Sequence, residues 1–440
     1  MKKLSYFLLF LLSGILIFGC TNEQSPEIDL SENNDACYSQ IRTKAEAVSI
    51  AKSIFSKSFA STRGTLNIST NDVTVITSSK TRADESDTVL YAVDFKDGGF
   101  TLVAANRELP AVLAFTEEGS FNSFETKQNE NFQYVLEQTI EYASSAPGFE
   151  IVKPTLPFEP YPVFDKDTTI TITKTDPLVT VSWNQYWPEN IYCPNKIAGC
   201  VPVATAQIMS AMEKPAYLDY TFAEKDILNE AINWKDLKHH NKSTKWMSPG
   251  ETNISNHLSN CNLGLQGHKT LARITREIGN RTNANYKISS TSANFPMAVS
   301  LIERLTNKST VANGSDSEDL YNSLSSNTNR LAIVVGYNPT SSGHCWVADA
   351  SCKVTMVLEY WAPVVKGDPN ANEDGLIRVQ DTTINKYIHY NWGWNGNCNG
   401  YFLIDIFNPA QGWEYDNPNE NNSSSDDYSE YFHYYVFSIM

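Results

Sequence analysis

The chain has 440 residues, with 34 Lys plus Arg against 50 Asp plus Glu and a formal net charge of −16. At 41% hydrophobic and 12% aromatic residues it holds enough apolar material for a sizeable core, which excludes a disordered or linker-like polymer. The acidic balance disfavours non-specific nucleic-acid binding, and the length sets an expectation of two or three domains.

In chain order, Lys2 and Lys3 precede an apolar run over 6–18 that is too short for a comfortable spanning helix, so 1–20 reads as an export signal. The run ends in Ile17-Phe18-Gly19-Cys20. A small residue before that cysteine resembles a bacterial lipoprotein signal, in which Cys20 is lipidated and becomes the mature N-terminus. The other reading is an ordinary secretory signal that ends in cysteine. Either way the chain is expected to be exported, as an outer-membrane or cell-surface lipoprotein or as a protein secreted after processing. Residues 21–39 form a polar tether. Of eight cysteines, removing Cys20 leaves an odd number, which in an oxidising compartment implies at least one free thiol. Cys193 with Cys398, and Cys261 with Cys352, are open guesses for pairing. The absence of CxxC spacing argues against a structural metal.

Residues 43–59 have the spacing of an amphipathic helix, opened by a Thr43/Glu46 capping box and carrying Ala47, Ile50, Ala51, Ile54 and Phe55 on one face. Tyr91, Val93 and Phe95 alternate, Asp97-Gly98-Gly99 turns the chain, and Phe100, Leu102 and Ala104 alternate again, which predicts a hairpin. With a further helix over 128–144, residues 40–145 make a small α+β domain. Repeated prolines and threonines then interrupt 146–178. This stretch reads as a cleavable linker, with an ordered surface crossover as the alternative. From 179 to 440 the texture is that of one aromatic-rich domain. It is expected to hold a helix over 198–213 and strands over 331–336, 345–349 and 400–406. A polar, acidic tail (414–430) and a closing aromatic strand complete it.

The chemistry starts at Cys200. Gly199 allows a sharp turn into the helix and Pro202 suits its first turn, so Cys200 sits at a helix N-terminus. There the free N–H groups and the helix dipole favour a thiolate. Its bland reading is core filler. A thiol nucleophile needs a base. Of the seven histidines most lie in polar context and read as surface, whereas His344 follows Gly343 and opens the apolar run "CWVADA". Asn391, Trp392 and Trp394 precede a glycine-rich turn. Asparagine can accept an imidazole N–H, and tryptophan can shield that bond. Gln185 lies upstream of Cys200, and its amide can donate to an oxyanion. Taken singly, His344 reads equally as a structural strand residue, the Asn-Trp segment as an aromatic hairpin, and Gln185 as an ordinary amide. Their order is Gln, Cys at a helix start, His, then Asn-Trp, which is the order of papain-like thiol proteases.

The segments "WNQ…P.N…CP…GCV…ATAQIM", "GH.WV.D" and "NWGWNG…NGYF.L" resemble the streptopain family of secreted bacterial cysteine peptidases. "KAEAVSIAKSIF", "YAVDFKDGGFTLVAANRELPAVLAFTEEGSF" and "N..FQYVLEQ" resemble that family's inhibitory propeptide. The resemblance implies an α+β fold: a papain-like two-lobed peptidase domain, with a helical lobe and an antiparallel sheet lobe, behind a small α+β propeptide. It implies a zymogen of a cysteine endopeptidase with Cys200 as nucleophile, His344 as base, Gln185 in the oxyanion hole, and Asn391, Trp392 and Trp394 around the imidazole. Ser292 and Gly343 fall on substrate-cleft positions. No metal or organic cofactor is implied. The expected partners are protein or peptide substrates and the chain's own propeptide, with no nucleic acid, and a membrane only through Cys20. The chain departs from the family's pattern at Pro202-Val203, at Cys345, at Thr291, and in an extra loop over about 352–388. A catalytically weak surface peptide-binding protein on a peptidase scaffold is the alternative. An N-terminal domain that inhibits other peptidases is a third reading.

Overall fold

A computed structural model describes residues 41–63, 70–77, 88–145, 164–220, 227–238, 265–288, 290–337, 343–363, 376–407 and 432–439. The signal, Cys20, the tether, residues 146–163, Cys261 and the acidic tail lie outside them.

The N-terminal part is built on helix α1 (Lys44–Arg63) and a meander of β1 (Thr70–Thr77), β2 (Thr88–Phe95), β3 (Phe100–Ala104) and β4 (Val112–Thr116). The capping box forms as expected: Thr43 N donates to Glu46 Oε2 at 2.8 Å and Glu46 N to Thr43 Oγ1 at 3.3 Å. Ala47, Ala51, Ile54 and Phe55 are fully buried against the sheet. At the β2–β3 turn Gly98 and Gly99 take φ of +88° and +86°, and a Cβ on Gly99 would lie 2.5 Å from the Thr116 carbonyl. Helices α2 (Phe124–Gln128) and α3 (Glu130–Ser145) complete this part.

Strand β5 (Phe164–Lys174) follows. The expected linker over 146–178 is therefore corrected over this stretch: "FDKDTTITITK" carries an unbroken run of β-branched residues from Thr168 to Thr173 and is long enough to pair, and it does.

The helical lobe comprises α4 (Cys200–Met212), the ribbon β6 (Tyr217–Tyr220) and β7 (Ile227–Ala231), α5 (Trp234–Lys238) and α6 (Leu265–Arg281). The short hairpin β8 (Asn285–Tyr286) and β9 (Thr291–Ser292) leads to α7 (Phe295–Thr306). The sheet lobe then adds β10 (Thr310–Gly314), α8 (Ser317–Ser326), β11 (Arg330–Tyr337), β12 (Gly343–Pro363), β13 (Leu376–Asn391), β14 (Gly400–Leu403) and β15 (Phe432–Ser438). The strand expected over 400–406 stops at Leu403 and turns into a 3₁₀ segment, Ile404–Phe407.

One antiparallel sheet runs through both parts in the order β1-β2-β3-β4-β14-β13-β12-β11-β15-β10. The N-terminal part joins it by edge pairing: Gly400 faces Thr116, Tyr401 faces Phe115 and Phe402 faces Ala114. Phe115 stacks on Tyr401 with centroids 5.1 Å apart, and Tyr387 Oη donates to Val112 O at 2.8 Å. The loop expected over 352–388 is instead largely a two-stranded arm of β12 and β13. β5 lies along the β12 edge opposite β13, from Cys352↔Lys174 to Trp361↔Phe164.

The central strands separate two cores by the period-two rule. Leu331, Ile333, Val335, Cys345 and Val347 face the helical lobe. Ala332, Val334, Trp346 and Ala348 face the other way, into a core shared with α1 and α3.

Candidate active site

Cys200 is the first residue of α4, and every residue from Val201 to Ser210 is buried, so the helix is anchored and its N-terminus fixed. Gly199 takes φ +93° and ψ 149°, a conformation that favours glycine. A Cβ there would also meet Thr291 Cγ2 at 2.9 Å. Cys200 is half-buried and packs beside the helical-lobe core. Pro202 and Val203 are both buried. Val203 Cγ1 would lie 3.1 Å from a Cβ on Gly393, so this departure from the family pattern supports the Asn-Trp turn and does not line the cleft.

Gln185 is half-buried on the turn before the nucleophile, and its backbone oxygen accepts Ala198 N–H at 2.8 Å, two residues from Cys200. The β8–β9 hairpin docks on the same loop: Thr291 Oγ1 donates to Ile197 O at 2.8 Å and Asn195 Nδ2 to Tyr286 O at 2.7 Å. Ser292 is exposed on this hairpin, beside the Thr291 that packs on Gly199. Gly343 is exposed at the start of β12. These tethers gather Cys200, Gln185 and the Ser292 hairpin around one helix start.

His344 is not gathered in. It pairs with Gly336 across β11 and β12, on the Trp346 side of the strand, and its ring lies 6.3 Å from that of Tyr134 on α3. No hydrogen bond joins its ring to another described residue. Burial pushes its pKa down to about 4, so the imidazole is neutral near pH 7. Cys345, the next residue, faces α4 instead. Burial, with a smaller contribution from the Cys200 sulfur, pushes its thiol far above the ordinary range.

Asn391 does not reach His344 in this state. Its Oδ1 accepts Gln207 Nε2 at 2.9 Å and Gly393 N at 3.2 Å, and its Nδ2 donates to Val181 O at 2.9 Å. Both lone pairs of that oxygen are taken. Trp392 is core: it packs on Trp346, Tyr390 and Phe402, and its Nε1 donates to Cys398 O at 2.9 Å. Trp394 is nearly fully buried and meets Tyr186, next to Gln185, edge-on at 5.9 Å. Cys193, Cys352 and Cys398 are free, so the guessed Cys193–Cys398 pair does not form, because the two lie in different cores.

Two histidines read as surface are buried. His389 Nδ1 meets Asp349 Oδ1 at 2.6 Å, and His268 packs on Trp187 with ring centroids 5.5 Å apart. Sequence reasoning also passed over Tyr134 and Gln207. The first is one more aromatic in an amphipathic helix. The second sits two turns along α4 from Cys200 in an otherwise apolar run, and that polar interruption was its available signal.

Residues 180–402, just over half of the chain, match the peptidase C10 family. This chain belongs to that family. Residues 39–143 match the Spi protease inhibitor family. The C10 peptidase is therefore a cysteine peptidase made as a zymogen behind its own inhibitory propeptide, which is the part joined to the sheet through β4. Among solved structures, a fragment of prointerpain A from Prevotella intermedia aligns with a TM-score of 0.46 and 15% identity, covering 83% of this chain and 98% of that one. No curated protein matches the chain.

Proposed function

We propose that the mature domain is a cysteine endopeptidase in which Cys200 is the nucleophile. The observation that carries this is the fixed α4 start, with the Gln185 turn tied to it through Ala198. A thiolate at a helix N-terminus is favoured by the free N–H groups and the dipole. It attacks the scissile carbonyl, while Gln185 Nε2 and the Cys200 backbone N–H take the oxyanion. His344 protonates the leaving amine and then deprotonates the water that releases the acyl group. Asn391, with Trp392 and Trp394, forms the scaffold on which the imidazole settles, and Ser292 and Gly343 line the cleft.

The same geometry accounts for latency. With His344 on the Tyr134 side of β12, thiol and imidazole cannot form an ion pair. Activation then requires the first residues of β12 to turn over, so that His344 replaces Cys345 toward α4 once α3 leaves. A one-residue slip of a strand does this to every side chain it moves. Export with a lipid on Cys20 is part of this reading, and a Cys20→Ala variant should lose the lipid mass and partition into the aqueous phase.

The test is Cys200→Ala. The matured wild type should cut an unfolded protein at internal bonds, seen as fragments with two internal termini, and the variant should leave it intact. Stepwise loss from one terminus would reject the endopeptidase reading. The separation of His344 from Cys200 also favours a second reading, a peptide-binding protein that does not cut. Under that reading a thiol-directed peptide probe fails to label Cys200 even after the propeptide is removed.

A further inference from the structure

The turn that carries Gln185 closes on a buried acid. Asn184 Nδ2 donates to Trp187 O at 3.2 Å, Tyr186 N donates to Asn184 Oδ1 at 2.5 Å, and Asn184 N donates to Glu189 Oε1 at 3.2 Å. Glu189 has no exposed surface. Its backbone oxygen accepts Thr275 Oγ1 of α6 at 3.1 Å, which pins it to the helical lobe. Its other carboxyl oxygen, Oε2, is buried and has no hydrogen-bond partner among the described residues. An ionised carboxylate with one oxygen unpaired in such a site is strongly disfavoured, whereas the neutral acid fits.

We propose that Glu189, as a neutral acid protonated on Oε2, is a positioning residue for Gln185. It fixes the Asn184 N–H, and through the adjoining peptide and the Gln185 O···Ala198 N–H bond it sets where the Gln185 amide stands relative to Cys200. The proposal rests on the reading of Gln185 as the oxyanion donor.

Among the described residues no charged group contributes to holding an anion at Glu189. Burial raises Glu189 to about 8, against the opposing hydrogen bonds from its own N–H and that of Asn184. Cys193, whose Sγ lies 3.8 Å from the Glu189 backbone oxygen, is itself pushed up to about 12 by burial and stays neutral. From α6, His268 packs at a tilt against Trp187 and is pushed down by burial, so it too is neutral. Arg276 of α6 and Lys196 act on Cys193, and Arg276 lies over the Tyr286 ring. Neither contributes to the titration of Glu189. Raising the pH through about 8 therefore places an uncompensated charge under the turn and displaces Gln185.

The experiment measures kcat and KM of the matured enzyme from pH 6 to 10 for wild type, Glu189→Gln, Gln185→Ala and the double variant. A single ionisation near 8 removes about tenfold in kcat per pH unit above it. The wild type should show that loss in kcat with KM little changed. Glu189→Gln keeps the neutral shape and should lack this loss, and in the Gln185→Ala background the Glu189 substitution should change nothing. Superimposable profiles of wild type and Glu189→Gln, or an effect on KM alone, would overturn the proposal. An unchanged kcat in Gln185→Ala would instead overturn the oxyanion reading.

If Glu189→Gln does not mature, melting curves of the Cys200→Ala zymogen with and without the substitution decide. The folded-state pKa lies above the unfolded value of about 4.3, so the stabilisation is complete below that value and is lost as pH rises toward 8. Tm should then fall between pH 6.5 and 8 in the parent and stay level with Glu189→Gln. Equal slopes reject the proposal.

Discussion

Tyr134 of the propeptide lies against the His344 imidazole, with ring centroids 6.3 Å apart. It is buried at 7% exposure, and its Cε1 would lie 3.1 Å from a Cβ on Gly336, the residue opposite His344. Its ring covers this face of β11 and β12 beside His344. Truncation to alanine opens a cavity there and costs about 2 kcal/mol or more, roughly 30-fold in the ratio of docked to undocked propeptide. Tyr134→Ala should therefore speed self-processing of the zymogen by at least about tenfold, followed by gel densitometry of the intact chain. An unchanged rate would show that α3 acts elsewhere.

At the scale of elements, two strand pairings lie where maturation is expected to act, β4 on β14 and β5 on β12. The β4–β14 seam depends on Gly400, where a Cβ would lie 2.4 Å from Phe115 O and 2.6 Å from Thr116 Cα. Both are propeptide backbone, which cannot swing aside, so overpacking of about 1–3 kcal/mol falls on the seam. Gly400→Ala should weaken propeptide docking and accelerate activation while the matured enzyme keeps its kcat/KM. Slower activation, or a damaged mature enzyme, would contradict that assignment. The second pairing is β5 on β12. A strand paired along its length is a poor protease substrate, because its backbone is already engaged. The mature enzyme is expected to retain β5, with its new N-terminus before Phe164. N-terminal sequencing checks this, and a terminus between Asp176 and Val179 would show that β5 leaves with the propeptide.

At the scale of the whole molecule, half-buried His344 and fully buried Glu189 couple stability to pH in opposite senses. His344 is lowered to about 4 by burial. The latent fold binds its proton more weakly than the unfolded chain, so its stabilisation is intact above about 6.5 and is lost as pH falls toward 4. Glu189, raised to about 8, loses its stabilisation as pH rises through the range above about 4.3. Acid therefore loosens the seat of His344. In Cys200→Ala zymogens followed by Tm, His344→Gln should lessen the fall from pH 6.5 to 4.5 and leave the range above 6.5 unaltered. The same fall in both proteins would remove His344 from the account.

Local rules made much of this legible. The Thr43/Glu46 box, the Gly98-Gly99 turn, and Gly199 before a helix that starts at Cys200 are each fixed by backbone sterics or short-range hydrogen bonds, and each stands where the sequence places it. Position along a strand was legible as well: His344 and Cys345 must face opposite ways. Which of them faces α4 was not, since register depends on what covers each face, and the cover comes from α3, some 200 residues earlier. β5 is not legible for a related reason: a run of threonines has strand propensity, but only the free edge of the β12 arm makes it a strand. Burial of His268, His389 and Glu189 escaped the sequence because polar context in the chain does not report packing in space. The sequence by itself determined the helix that starts at Cys200, the glycine turn before it and the family. Tertiary structure alone decided that Cys345 faces α4 while His344 lies on the Tyr134 side of β12, because that choice rests on contacts between segments far apart in the chain.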